Sequence, residues 1–195
     1  MLFAYVTLVQ KEVLSLKARR TLLAVLLPIG IAIIALFIFR SYFYFPSTVY
    51  GESMAPTLED QNKILISRVG NIDRFDEVVF HAPDQDASYV KRVIGVPGDK
   101  IEYKNDVLYV NGKKHAEPYL KEMKNAMQED ALFTNNFKLR DVIGEDTIPD
   151  GYLFVMGDNR RNSKDSRMFG LIPQSTVIGE VKFRYYPFPQ MGLTN

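Results

Sequence analysis

Three stretches of this chain hold residue types that could do chemistry together. In GESMAPTL, residues 51–58, Ser53 stands two residues after Gly51 and three before Pro56. Glycine takes backbone angles closed to other residues and leaves room for a second chain, while proline stops a regular strand and stiffens the exit. A serine so placed is either a turn residue or a nucleophile. In SYVKRVIGV, residues 88–96, Lys91 sits at the centre of a β-type run, where a period of two puts Tyr89 and Val93 on its face and Arg92 on the other. In MGDNRRNSKDSRMFG, residues 156–170, Asp158, Arg160, Asp165 and Arg167 crowd between two β-type segments.

A nucleophilic serine needs a base. The G-x-S-x-G elbow of α/β-hydrolases fits poorly, because Ala55 stands at the last position, Pro56 follows, and no helix comes after. The S-x-x-K signature is absent, since residue 56 is proline. His81 or His115 could complete a Ser-His-Asp triad, which geometry rather than chain order defines, although both lie in ordinary strand-end or turn contexts. A lysine is the remaining base. Its pKa, ordinarily about 10.4, must fall by several units for a neutral amine near pH 7 to 8, which demands burial. Most lysines here lie in polar runs, whereas Lys91 sits at the centre of a β-type run. The bland alternative for Lys91 is a charge guarding an exposed sheet edge. For residues 156–170 a calcium loop is rejected, because Ser163 and Phe169 stand where such a loop needs Gly and Glu. Either the loop is solvated, or its carboxylates and arginines tie it down by charge-assisted hydrogen bonds.

These residues need a scaffold. From Pro46 onward, short runs rich in Val, Ile, Tyr and Phe (63–69, 77–82, 88–96, 100–104, 107–112, 151–157 and 179–186) alternate with turn residues such as Asn105-Asp106 and Asn111-Gly112. Spacing too close for helical crossovers predicts a mainly β, antiparallel domain. Residues 115–148 are less regular and read as an insertion without a derivable role.

Ahead of this domain, residues 21–39 form 19 positions without a charge, close to the roughly 20 needed to span a bilayer as a helix. Lys17, Arg19 and Arg20 precede the run and only Arg40 follows, a bias that sets the N-terminus in the cytoplasm and the rest outside. Residues 1–40 carry net +4, leaving −3 on the remainder of a chain whose total is +1. That near-neutral total argues against a nucleic-acid binder. Tyr42 to Phe45 read as an interfacial aromatic belt. The run is longer than a usual signal-peptide core and no A-x-A-like site follows it, so it reads as an uncleaved anchor. The absence of cysteine excludes disulfides and a thiol nucleophile.

An anchor followed by GESMAPTL, YVKRVIGVPGDK and GDNRRNSKDSRMFG resembles, in that order, bacterial type I signal peptidases of the single-span Gram-positive kind (peptidase family S26). The resemblance implies a signal-peptidase-like Ser/Lys protease fold with one N-terminal transmembrane helix. It divides the chain into a cytoplasmic segment (1–20), an anchor (21–39) and an extracytoplasmic catalytic domain (46–195) with a variable insertion near 115–148. It implies Ser53 as nucleophile, Lys91 as general base with Arg92 beside it, and Ser163 as a hydrogen-bond partner of the lysine nitrogen. Asp158, Asp165 and Arg167 become ion pairs supporting the loop, and Met54 lies near the substrate, with an apolar strip from Tyr42 to Phe45 and Met54 resting on lipid. Gly51 stands where Gram-negative relatives carry a serine that completes the oxyanion hole, which leaves the second oxyanion donor open beside the N–H of Ser53.

The expected partners are secretory preproteins with small residues at the first and third positions before the cut, and the lipid bilayer, with no cofactor, metal or nucleic acid. The expected location is the cytoplasmic membrane, single-pass, with the catalytic domain outside. Two other readings compete: a self-cleaving repressor-type protease, which would carry a DNA-binding domain where this chain has a span, and a catalytically silent surface-displayed binding domain.

Overall fold

The computed structural model describes residues 2–68, 70–128 and 131–194, and within the first helix the side chains of 17, 19–40, 42 and 43. The chain divides between Phe43 and Tyr44 into two compact units.

The first unit is one helix, α1 (Leu2–Phe43), which continues through Pro28. Its stretch Arg19–Arg40 has a mean hydropathy of 3.0 and none of it is buried against protein, so by length and composition it can cross a membrane. Its 22 residues rise about 33 Å at 1.5 Å each. The helix stops at Phe43, and Tyr44 and Phe45 open a strand of the second unit. Phe45 is half-buried against the core there, because an aromatic side chain on a sheet face gains more from packing than from exposure.

The second unit is built from β1 (Tyr44–Thr48), β2 (Lys63–Ser67), β3 (Glu77–His81), β4 (Ser88–Gly95), β5 (Ile101–Lys104), β6 (Val107–Val110), β7 (Lys113–His115), β8 (Phe137–Lys138), β9 (Tyr152–Met156), β10 (Ile172–Pro173), β11 (Val177–Tyr186) and β12 (Gly192–Leu193). Short helices α2 (Lys121–Asn125), α3 (Leu139–Ile143) and α4 (Ser166–Phe169) punctuate them. The large sheet runs β1-β2-β11-β3-β4-β9-β10 with β12 on β11, and the small one runs β7-β6-β5-β8. Each pairing between described strands is antiparallel, as the close strand spacing predicts. The strand expected over 63–69 ends at Ser67, and Val69 lies outside the described residues.

Turn chemistry sets the small sheet. Asn105 and Asp106 both have positive φ, as do Asn111 and Gly112, so each pair forms the two-residue turn whose twist suits a hairpin. Lys104 thus faces Val107, and Val110 faces Lys113. Residues 115–148 are not a loose appendage. They supply β8 and the buried Leu120, Phe133, Leu139 and Ile148, and Leu139 and Ile148 share a core with Tyr103, Leu108 and Phe154.

Candidate active site

Ser53 lies in a series of tight turns after β1. Gly51 has φ +84°, a left-handed angle that favours glycine, and its N–H donates to Asp60 Oδ1 at 2.8 Å, joining the start of the turn to its end. That amide is therefore committed to Asp60. Beneath the turn, Met54 (1 % exposed) and Leu58 pack on Ile64, Ile66, Val79 and Val181. Met54 thus holds the turn in the core, its unbranched side chain filling the gap beneath the strands and resting on Ile64 and Val79, which line the adjoining groove.

Lys91 Nζ donates to Ser53 Oγ at 2.6 Å and to the carbonyl oxygen of Val90 at 2.9 Å, and lies 5.3 Å from the ring centroid of Tyr89. Lys91 is 3 % exposed. β9 pairs with β4 only from Arg92 onward, so the edge-strand alternative is overturned by the buried amine and its bond to Ser53, which leave no solvated charge guarding that edge. Burial pushes the amine down from 10.5 to about 8, while the carboxylates of Asp165 and Asp158 pull it back up. Neither histidine joins this pair. His81 is exposed at the end of β3, and His115 sits beside Phe75 on the small sheet.

Arg92 points to the opposite face, as strand alternation predicts, and is fully buried. Its Nε and Nη2 grip Asp158 Oδ1 and Oδ2 at 2.9 and 2.7 Å, Nη2 also reaches Glu77 Oε1 at 2.8 Å, and Nη1 donates to the carbonyl of Phe75 at 2.8 Å. Asp158 Oδ2 further accepts the Thr57 hydroxyl at 2.6 Å, linking this pair to the serine turn. Burial pushes the Glu77 carboxyl up to about 7, against the pull of Arg92 and with the help of Asp158.

The loop 156–170 is tied down rather than solvated. Asp165 is fully buried, caps α4 through the Arg167 N–H, accepts Arg167 Nε and Nη2 at 2.8 and 2.7 Å, and accepts the Gly157 N–H at 3.0 Å. From the same loop, Asn159 donates its backbone N–H to the Ser53 carbonyl at 3.0 Å and its side-chain amide to the Glu52 carbonyl at 3.2 Å. Gly157 leaves no room for a side chain, since a Cβ there would overlap both Ser163 Oγ and the Ser53 carbonyl oxygen. Ser163 therefore stands beside the pair. Its hydroxyl is buried without a hydrogen-bond partner among the described residues, so the bond to Lys91 implied by the resemblance is not formed here.

Ser53, Lys91, Arg92, Asp158, Asp165, Arg167 and Ser163 are thus gathered in one place, and Gly51 lines the adjoining groove. Glu77, Thr57, Asn159 and Asp60 went unrecognised in the sequence. Of these, only Glu77 left a trace, as a charge opening the apolar strand EVVF.

The groove beside Ser53 has a volume of about 620 Å³ and is lined by residues 47–53 and 88–91, with Asn162 and Lys164. Pairing of β4 with β9 stops at Arg92, and β1 ends the sheet order, so both strands offer backbone edges where they border the groove. An extended peptide can pair with such edges. Among the described residues no group of three or more His, Cys, Asp or Glu is placed to hold a metal ion.

The sequence model of the family described as "Signal peptidase, peptidase S26" matches residues 22–186. The chain is 48% identical over 166 residues to a signal peptidase I from Bacillus caldolyticus, covering 83% of this chain and 87% of that protein. It is 44% identical over 180 residues to signal peptidase IB from Staphylococcus aureus, covering 88% and 93%. Among solved structures, a signal peptidase I from Enterococcus faecalis superposes with a TM-score of 0.56 at 38% identity, covering 57% of this chain and 97% of that one.

Proposed function

The chain belongs to the signal peptidase family, peptidase S26, and on that premise we propose that it is a membrane-anchored serine endopeptidase working through Ser53 and Lys91. Its substrates in this reading are exported preproteins, cut after the signal peptide. The observation that carries the reading is the 2.6 Å separation of Lys91 Nζ and Ser53 Oγ with the lysine buried.

The chemistry follows from that geometry. Neutral Lys91 takes the proton of Ser53 as its oxygen attacks the scissile carbonyl, and the resulting ammonium returns it to the leaving amine. The acyl-enzyme is then hydrolysed by water with Lys91 again as base. Ser53 N–H is one oxyanion donor, and the second is a group other than the Gly51 N–H, which Asp60 occupies. Arg92, Asp158, Asp165 and Arg167 hold the loop whose Asn159 pins the Ser53 carbonyl, and Ser163 stands ready to orient the lysine as substrate enters. Substrate lies extended between β1 and the N-terminal half of β4, with small residues preferred at the first and third positions before the cut.

Residues 1–20 are cytoplasmic in this reading, 21–39 cross the membrane, and 46–195 work on the outer face. The positive bias before the span supports that orientation. The native chain has no cysteine, so single cysteines introduced at Lys17 and Lys113 report sidedness directly.

The direct test is processing of a purified preprotein in detergent. Ser53→Ala and Lys91→Ala are each expected to abolish cleavage while the domain stays folded. Full cleavage by the lysine variant would sink the mechanism.

A further inference from the structure

The segment 115–148, without a role in the sequence reading, reaches the site from behind. Arg160, 3 % exposed, belongs to the loop that pins Ser53 and closes it by donating Nε to the Gly157 carbonyl at 3.1 Å. Its other nitrogens leave the loop altogether. Nη1 donates to the Tyr103 hydroxyl at 2.7 Å and to Thr134 Oγ1 at 3.1 Å, and Nη2 donates to Glu117 Oε1 at 2.5 Å. The same carboxylate oxygen accepts the hydroxyls of Tyr103 at 2.6 Å and Tyr119 at 2.8 Å. The Glu117 side chain is itself buried, at 2% exposed.

Tyr119 carries the connection to the other arginine. The Arg92 guanidinium carbon lies 4.0 Å from its ring centroid and that of Arg160 6.0 Å, so one phenol touches both buried cations. Guanidinium cannot shed its charge when buried, so Arg160 needs an anion to stay where it is. Glu117, two residues past the end of β7, provides that anion.

We propose that Glu117 is a positioning residue of the peptidase site, holding Arg160, and through it the Gly157–Asn159 backbone that fixes the Ser53 carbonyl. The inference rests on the Ser53–Lys91 reading. The segment 115–148 is then a back wall that sets the distance between the serine turn and its base. The groove-lining residues of β1 and of β4 up to Lys91 make none of the hydrogen bonds to Arg160 or Glu117, so loss of the linkage alters turnover and not substrate affinity.

The test is steady-state cleavage of a preprotein by the full chain in detergent, with kcat and KM resolved well below the melting temperature. Glu117→Gln keeps the shape and the acceptor oxygen but removes the charge. It is expected to lower kcat about tenfold or more, since small displacements of reacting groups cost orders of magnitude, while KM stays within about threefold. The midpoint of the pH–rate profile stays in place, because the base is unchanged. A purely structural role would lower kcat only in proportion to unfolded protein. Wild-type kcat per folded molecule, or a loss confined to KM, overturns the proposal. Should Glu117→Gln not fold, the double variant Glu117→Met with Arg160→Met removes both buried charges together. The same fall in kcat is expected of it, and wild-type kcat in that folded variant overturns the proposal. Ser53→Ala run alongside separates the two ideas, since cleavage by that variant sinks the serine mechanism itself.

Discussion

Lys91 Nζ and Ser53 Oγ meet at 2.6 Å across 38 residues of sequence. The lysine reaches the serine from β4, and the serine is carried on a turn clamped by Asp60 from one side and Asn159 from the other. Both halves are held before substrate arrives, which is the condition for proton transfer in the first step.

The rate of cleavage should rise with pH through about 8. Burial holds Lys91 near that value, and only the neutral amine can take the serine proton, so below the midpoint the rate falls tenfold per pH unit. A kcat/KM profile on a preprotein between pH 6 and 10 checks this, and a midpoint near 6.5 would assign the base to a histidine instead.

Lys91→Met should be inactive yet more stable at pH 7. The amine is depressed on folding from 10.5 to about 8, so at neutral pH the folded state bears the cost of a buried ammonium, and wild-type stability rises with pH between those two values. Removing the amine relieves up to roughly 3 kcal/mol at 1.36 kcal/mol per pH unit. Chemical denaturation of both proteins at pH 7 and pH 10 should show the gap narrowing as pH rises. An equal gap at both would refute the assignment.

Gly157→Ala should cost both stability and turnover. The added Cβ overlaps the Ser53 carbonyl oxygen and Ser163 Oγ, and the backbone oxygen cannot rotate away. Overpacking of this kind costs about 1–3 kcal/mol, and the forced separation of the loop from the serine turn should lower kcat by about 100-fold. Melting curves and single-turnover cleavage report the two effects separately, and wild-type turnover would show that the contact does not position Ser53.

Glu77 should make the wild type lose stability between pH 4.5 and about 7. Its folded-state value is raised above its ordinary one, chiefly by burial, so the folded protein holds its proton longer and that advantage is gone once pH passes about 7. The loss approaches roughly 3 kcal/mol at 1.36 kcal/mol per pH unit. Glu77→Gln keeps an acceptor for Arg92 and should flatten the dependence in denaturation curves at pH 4.5, 6 and 7.5. An unchanged slope would place the titration elsewhere.

What the sequence determined by itself is what depends on short stretches of chain. An uninterrupted apolar run of 19 residues makes a helix able to span a bilayer whatever surrounds it. Asn105-Asp106 and Asn111-Gly112 set their hairpins because their own backbone angles suit a two-residue turn. Strand alternation put Lys91 and Arg92 on opposite faces, and the three motifs pointed to the family and to most of the site. The tertiary structure decided whatever depends on which strands become neighbours. Lys91 could have been a solvated edge charge until the serine turn met it, and Met54 could have been an exposed turn residue until β2 and β11 formed a core beneath it. Glu77, Thr57, Asn159 and Glu117 carried no decisive local signal, because a charge or a polar group takes such a place only once its partners close around it. Here those partners, Arg92, Asp158 and Arg160, come from distant parts of the chain.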